Sequence, residues 1–222
     1  MKGTMSTVFI VDDAREVRTG LSRLLGAAGY QVRAFESAAS FLQEHDTELP
    51  GCLLLDICMP GLSGLDLQRT LADSPGSARP IVFLTGRGDI QTSVHAMKEG
   101  AVDFLTKPVD DTQLLAAVDQ ALKRDAEQRL ERAVRDTIQR RLAMLTPRER
   151  QVMAHVIRGR LNKQIAADLG TGEKTVKVHR ARVMSKMVAR SVAELVQLAA
   201  RVGVGIEPNL GAGTTGIDWR QA

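Results

Sequence analysis

Five polar residues, Asp12, Asp13, Asp56, Thr85 and Lys107, lie far apart in the chain, yet each follows a short apolar run. The runs are Thr7 to Val11, Cys52 to Leu55, Ile81 to Leu84 and Val102 to Leu105. Continuous apolar runs of this length suit buried parallel strands, and a parallel sheet gathers its strand ends into one crevice. Three carboxylates converging there repel one another unless a hard cation joins them. Magnesium takes oxygen ligands in octahedral geometry and keeps waters and phosphate oxygens in its shell. The pattern therefore predicts a magnesium and phosphoryl site.

The segments between the runs, such as Val17 to Ala28 and Leu65 to Leu71, have helical length and period. A βαβ alternation with right-handed crossovers puts the loops after the strands on one edge, where those polar residues meet. After Lys107-Pro108 the chain runs from Asp110 to Leu142 without Pro or Gly. Apolar residues recur at Leu115, Val118, Leu122, Ala126, Leu130, Val134, Ile138 and Leu142. Spacings of three and four predict one long helix of about 50 Å, at about 1.5 Å per residue. Its later part is either a solvated spacer or a stalk that pairs with another copy.

Thr146-Pro147-Arg148-Glu149 marks a new start, with an N-cap threonine, proline at the first helical position and a glutamate that completes a capping box. Helices are predicted over Pro147 to Ile157, Asn162 to Leu169, Glu173 to Met187 and Ser191 to Arg201, the last with Glu194 as a second capping box. Gly159 and Gly170 punctuate them. The domains expected are 5–122, a linker helix 123–145, a helical domain 146–202 and a mobile tail 203–222.

The 222 residues are 44% apolar and 25% charged, enough for two modest cores. Net charge is +4, but unevenly spread. Residues 1–122 hold 10 basic and 16 acidic side chains, whereas 146–202 hold 12 and 4. The basic segment alone is thus suited to a polyanion. Neither a signal peptide nor a membrane-spanning run is evident, and Cys52 and Cys58 read as one core and one loop thiol. No Walker-type Gly-Lys-Ser/Thr is present, and Gly86-Arg87-Gly88 is too short for a dinucleotide fingerprint.

Singly, Asp13 reads equally as a helix cap, Asp56 as a turn residue, Lys107 as a surface lysine and Phe104 as a core aromatic. Together, their order and the text Asp56-Ile57-Cys58-Met59-Pro60-Gly61-Leu62-Ser63-Gly64 and Thr85-Gly86 resemble the receiver domain of bacterial two-component response regulators, over about residues 5 to 122. That resemblance implies a flavodoxin-like doubly wound (βα)5 fold. It implies Asp56 as the acceptor of a phosphoryl group from a histidine kinase. It also implies magnesium held by Asp13, Asp56 and the backbone carbonyl of Cys58 with Asp12 assisting, and Lys107 on a phosphoryl oxygen beside a cis Lys107–Pro108 peptide. Thr85 would turn its hydroxyl to the aspartyl phosphate, Phe104 would be the switch aromatic, and Gly86 would leave the approach open.

Asn162 to Gly170 followed by Glu173 to Arg182 has a helix-turn-helix layout. Val176, Val183 and Met187 suit its core side. The text resembles the four-helix LuxR-type DNA-binding domain of the NarL and FixJ class over about 146 to 202, and the whole chain resembles FixJ-type regulators. Lys177 and Val178 would then enter the major groove, with Lys174, Thr175, His179, Arg180 and Arg182 as further base or phosphate contacts. His179 reads as a hydrogen bonder rather than a metal ligand. The last helix either pairs two such domains or closes a monomeric core. Thr171-Gly172 departs from the aliphatic-serine pair usual in that turn, which implies looser capping, and Ala181 stands where some relatives place a basic contact.

The reading is thus a cytoplasmic transcriptional regulator, activation being what the resemblance implies, not an enzyme beyond its own phosphoryl transfer and autodephosphorylation. Its expected partners are a histidine kinase, double-stranded DNA, a second copy on phosphorylation and RNA polymerase, but no membrane. The rivals are a phosphate sink whose output is protein interaction, and an enzyme acting on external phosphoesters.

Overall fold

The computed structural model describes residues 6–74, 79–86 and 90–204, without the side chains of residues 90–92. The chain forms two compact units, divided between Arg129 and Leu130. In the first, strands β1 (Thr7–Val11), β2 (Gln31–Phe35), β3 (Gly51–Asp56), β4 (Ile81–Thr85) and β5 (Asp103–Thr106) alternate with helices α1 (Arg15–Ala27), α2 (Ala38–Glu44), α3 (Gly64–Asp73) and α4 (Ile90–Lys98). Helix α5 (Asp111–Ala143) follows, close to the expected span. All strand pairs are parallel, in the order β2-β1-β3-β4-β5.

Because successive strand residues point to opposite faces, each apolar run feeds two cores. Phe9, Val11, Leu53, Leu55 and Phe83 pack with Phe41 of α2 and Leu67 and Leu71 of α3. Val8, Ile10, Leu54, Val82 and Leu84 pack with Leu25 of α1 and Leu114 and Val118 of α5. The strand order reverses beside β1, so a crevice opens at the carboxyl ends of β1 and β3.

Some boundaries differ from expectation. Asp56 and Thr85 close their strands rather than following them, since Asp56 pairs with Leu84 and Thr85 with Thr106 in the ladder. Helix α1 begins at Arg15, two residues before the apolar period starts, because its first turn is solvent-exposed and carries no periodic signal.

The apolar stripe of α5 divides. Val118 belongs to the first unit's core, Ile138 and Leu142 to the second's. Between them Ala126 is exposed and Leu130 is 69% exposed. Asp125 and Arg129 belong to the first unit. The Gly51 N–H donates to Asp125 at 2.9 Å, and the Arg129 guanidinium, paired with Asp125, donates to the carbonyls of Thr47, Glu48 and Leu49.

In the second unit, α6 (Pro147–Ile157), α7 (Asn162–Asp168), α8 (Glu173–Met187) and α9 (Val192–Arg201) surround Val152, Met153, Ile165, Val176, Val183, Met187 and Leu195, all fully buried. The Thr146 and Glu149 capping box is present. At α9, however, Ser191 accepts from the Glu194 N–H while Glu194 accepts from Arg190, so no reciprocal box closes there. The glutamate is drawn one residue further back by an exposed amide. Val204 is buried in this core; the rest of the expected tail, 205–222, lies outside the described residues.

Candidate phosphoryl site and nucleic-acid interface

The crevice brings Asp12, Asp13 and Asp56 together, with carboxylate oxygens within 4.8 Å of one another. Asp12 directly follows β1 and is fully buried, Asp56 is 5% exposed and Asp13 is exposed. Asp12 is occupied on both oxygens, accepting from the Ala14 N–H at 2.9 Å and from Lys107 Nζ at 2.6 Å. Lys107 Nζ also lies 3.3 Å from Asp56 Oδ1, a buried oxygen that accepts no well-formed hydrogen bond. A cis peptide joins Lys107 to Pro108, and the Lys107 N–H donates to the Thr85 carbonyl at 2.7 Å.

Burial raises the Asp56 pKa above the usual carboxylate value. Lys107 opposes that rise and the neighbouring Asp12 adds to it. For Lys107 burial pulls downward, but the hydrogen bond to Asp12 and the charges of Asp12 and Asp56 together carry it above the usual lysine value. A divalent cation suits this arrangement, because an all-oxygen donor set with one orphaned buried carboxylate oxygen is the hard-ligand environment that magnesium takes.

Thr85 is 1% exposed at the end of β4, and Gly86 is exposed directly after it. Phe104 on β5 is half-buried against the α2, α3 and α4 core. Cys58 has an exposed thiol, whereas Cys52 is buried, and both are free. Arg87 lies outside the described residues.

Two residues here were missed. A Cβ on Gly64 would stand 2.3 Å from the Asp56 carbonyl, so only glycine lets α3 start against the acidic strand end. Its place in the loop text was visible, but the close approach was not. Arg18 donates to the carbonyls of both Asp12 (2.7 Å) and Asp13 (2.9 Å). In sequence it is merely one arginine on an exposed helix.

On α8, Val176, Val183 and Met187 are fully buried, as predicted. Lys174, Thr175, Lys177, Val178 and Arg182 are exposed, giving one cationic face. His179 and Arg180 flank that face half-buried. Arg180 donates to Asn162 Oδ1 of α7 at 3.1 Å, and His179 Nδ1 is buried without a hydrogen-bond partner. Gly172 caps α8 with no side-chain hydrogen bond.

A doubly wound sheet with an acidic crevice, joined to a helix-turn-helix unit, defines a signal-responsive DNA-binding protein. Residues 8–119 match the response regulator receiver domain, and residues 143–199 match the bacterial regulatory proteins of the luxR family. Nodulation protein W of Bradyrhizobium diazoefficiens is 44% identical over 201 residues, covering 90% of this chain and 88% of that protein. The transcriptional regulatory protein FixJ of Azorhizobium caulinodans is 44% identical over 200 residues, covering 89% and 93%. The solved structure of the response regulator StyR superposes with a TM-score of 0.78 at 47% identity, covering 89% of this chain and 99% of StyR. The chain belongs to the FixJ-related response regulators, two-component transcriptional regulators that join a receiver to a LuxR-type DNA-binding domain. Those two domains imply a histidine kinase and DNA as partners. No described helix is long and apolar enough to cross a membrane.

Proposed function

We propose that Asp56 accepts a phosphoryl group from a kinase phosphohistidine, and that the modified receiver pairs with a second copy to set two recognition helices on paired DNA half-sites. The observation that supports this most strongly is the convergence of Asp12, Asp13, Asp56 and Lys107 in one crevice. In the transfer, an Asp56 oxygen forms a bond to phosphorus while the bond from phosphorus to the imidazole nitrogen breaks, and the imidazole leaves. The chain catalyses only this step and its own dephosphorylation.

Asp13, Asp56 and the Cys58 carbonyl would hold magnesium, with Asp12 assisting; when bound, the ion supplies charge neutralisation for the phosphoryl oxygens. Lys107, already 3.3 Å from Asp56 Oδ1, pairs with a phosphoryl oxygen placed there. The Thr85 hydroxyl turns toward the same group, and Phe104 moves into the space it leaves. Gly86 admits the donor imidazole. Because phosphorylation biases an equilibrium rather than creating a new state, some basal DNA binding persists.

Pairing uses the α4 and α5 face of the receiver. On DNA, Lys177 and Val178 read the major groove, while Lys174, Thr175, His179, Arg180 and Arg182 supply further base or phosphate contacts; Arg180 must first leave Asn162. The functional segments are receiver 5–122, linker 123–145 and DNA-binding domain 146–202, with Val204 packed on the core of the last and a tail beyond it. The protein works in the cytoplasm, where it recruits RNA polymerase and activates transcription.

The test is binding to a genomic fragment pool with and without a small phosphodonor and magnesium, comparing wild type with Asp56→Ala. Phosphodonor-dependent enrichment, absent in the variant, is expected. Equal enrichment in every sample would uncouple DNA binding from Asp56 and remove the switch.

A further inference from the structure

Adjacent residues on an extended strand point to opposite faces, so Asp12 and Asp13 should diverge. Instead their carboxylates share one cluster with Asp56, within 4.8 Å. The backbone must therefore turn between them, directly after β1 ends at Val11. Something has to hold that turn, because the like charges it gathers push it open.

A helix cap does not hold it. The N-cap of α1 is Ala14, which offers no side-chain hydrogen bond, where Ser, Thr, Asp or Asn would ordinarily fix the entry. Two fastenings are present instead. Asp12 Oδ1 accepts from the Ala14 N–H, and one nitrogen of Arg18 donates to the successive carbonyls of Asp12 and Asp13, at 2.7 and 2.9 Å. One guanidinium nitrogen reaches both oxygens only if the chain is bent between them. Arg18 reaches back along α1, half-buried, to these two backbone carbonyls.

We propose that Arg18 is a positioning residue for the magnesium site. It holds the Asp12–Asp13 backbone in the bend that turns the Asp13 carboxylate toward Asp56. This rests on the assignment of that carboxylate cluster as the magnesium site. Asp13 is the member most dependent on the bend. Asp12 is tied by Lys107 and Ala14, and Asp56 is set by the sheet, whereas Asp13 is exposed and no side-chain bond of its own carboxylate is seen among the described residues.

The test titrates the full-length protein with magnesium chloride by calorimetry, for wild type, Arg18→Ala, Arg18→Met, Arg18→Lys and Asp13→Asn, with melting curves of each in chelator. Arg18→Ala is expected to weaken magnesium binding about tenfold, as loss of an outer support of a metal ligand does. Its metal-free melting temperature should stay close to wild type. Arg18→Lys should recover part of the affinity, since an ammonium keeps the charge but lacks the planar fork. Arg18→Ala affinity within about twofold of wild type would overturn the proposal while leaving the metal site standing. If Arg18→Ala melts early, Arg18→Met, which keeps the apolar stem and removes the donor, decides by the same comparison: wild-type affinity overturns the proposal and weakened affinity supports it. A wild type that takes up no magnesium would remove the metal site itself, and this inference with it.

Discussion

The acidic crevice and the recognition helix both concentrate charge, in opposite ways. In the crevice, Asp12, Asp56 and Thr85 come from three different strand ends and are at most 5% exposed. Asp56 and Thr85 are held by sheet register, Asp12 by hydrogen bonds to both of its oxygens, and the cation beside them is bonded to its neighbours. On α8, Lys174, Lys177 and Arg182 come from one continuous stretch and stand in solvent. Phosphoryl transfer needs fixed short distances in a partly dry site, so it recruits residues that a tertiary fold locks in place. Attraction to a polyanion acts over several ångströms and tolerates side-chain motion, so one amphipathic helix suffices.

That contrast can be broken most decisively at Asp56. Asp56→Ala is expected to abolish phosphoryl uptake from a small phosphodonor, read as a mass shift, because the other buried carboxylate beside Lys107, Asp12, already accepts a hydrogen bond on each oxygen; stoichiometric uptake in the variant would move the acceptor elsewhere. Next in size is Met153→Ala in the second core, where the side chain is fully buried. It should cost about 2–5 kcal/mol in urea unfolding and weaken DNA binding by depopulating that fold. Phosphoryl uptake should survive, and its loss would mean that the two units do not fold independently.

Smaller again is Lys177→Ala, expected to weaken DNA binding about tenfold, roughly 1.4 kcal/mol, with phosphorylation unchanged. Fluorescence anisotropy at several salt concentrations separates a base contact from a phosphate contact, since only the latter flattens the salt dependence. An affinity equal to wild type would take Lys177 out of the interface.

The smallest effect concerns pH. The Lys186 ammonium, 2.6 Å away, and the Thr146 N–H hold Glu149 below the usual glutamate value. A carboxylate depressed in the folded state stabilises above its unfolded pKa, and that stability is lost as pH falls through the folded value. Acidification should therefore lower the melting temperature of the second unit, and Glu149→Gln should flatten that dependence. An unchanged slope would mean that the pair contributes nothing measurable.

Much of both regions was legible because local rules and tertiary demands agreed. The apolar runs marked β1, β3 and β4, since strands covered on both faces must be apolar throughout, and the Phe104-Leu105 pair marked the edge strand β5. Strand β2 was harder to see, because three of its five residues are exposed at the sheet edge. Thr146 and Glu149 marked the start of α6 because a capping box is purely local. The Ser191 box failed because an equally local alternative, the Arg190 amide, competes for Glu194. On α5 the stripe was correctly read as helical, but its period could not say that Ala126 and Leu130 lie in solvent while Val118 and Ile138 enter different cores.

Residue order alone determined the two domain types, the acidic and lysine residues of the crevice, and the core and cationic faces of the recognition helix, because periodicity and charge are properties of the chain. Only the tertiary structure decided that Asp12 is tied on both oxygens, that Arg180 is held by Asn162, that Gly64 must lack a Cβ, and that Arg18 grips the acidic turn. Each of these is a contact made across a turn or between separate elements. Its partner is set by where the backbone brings two atoms together, and no spacing along the chain records that distance.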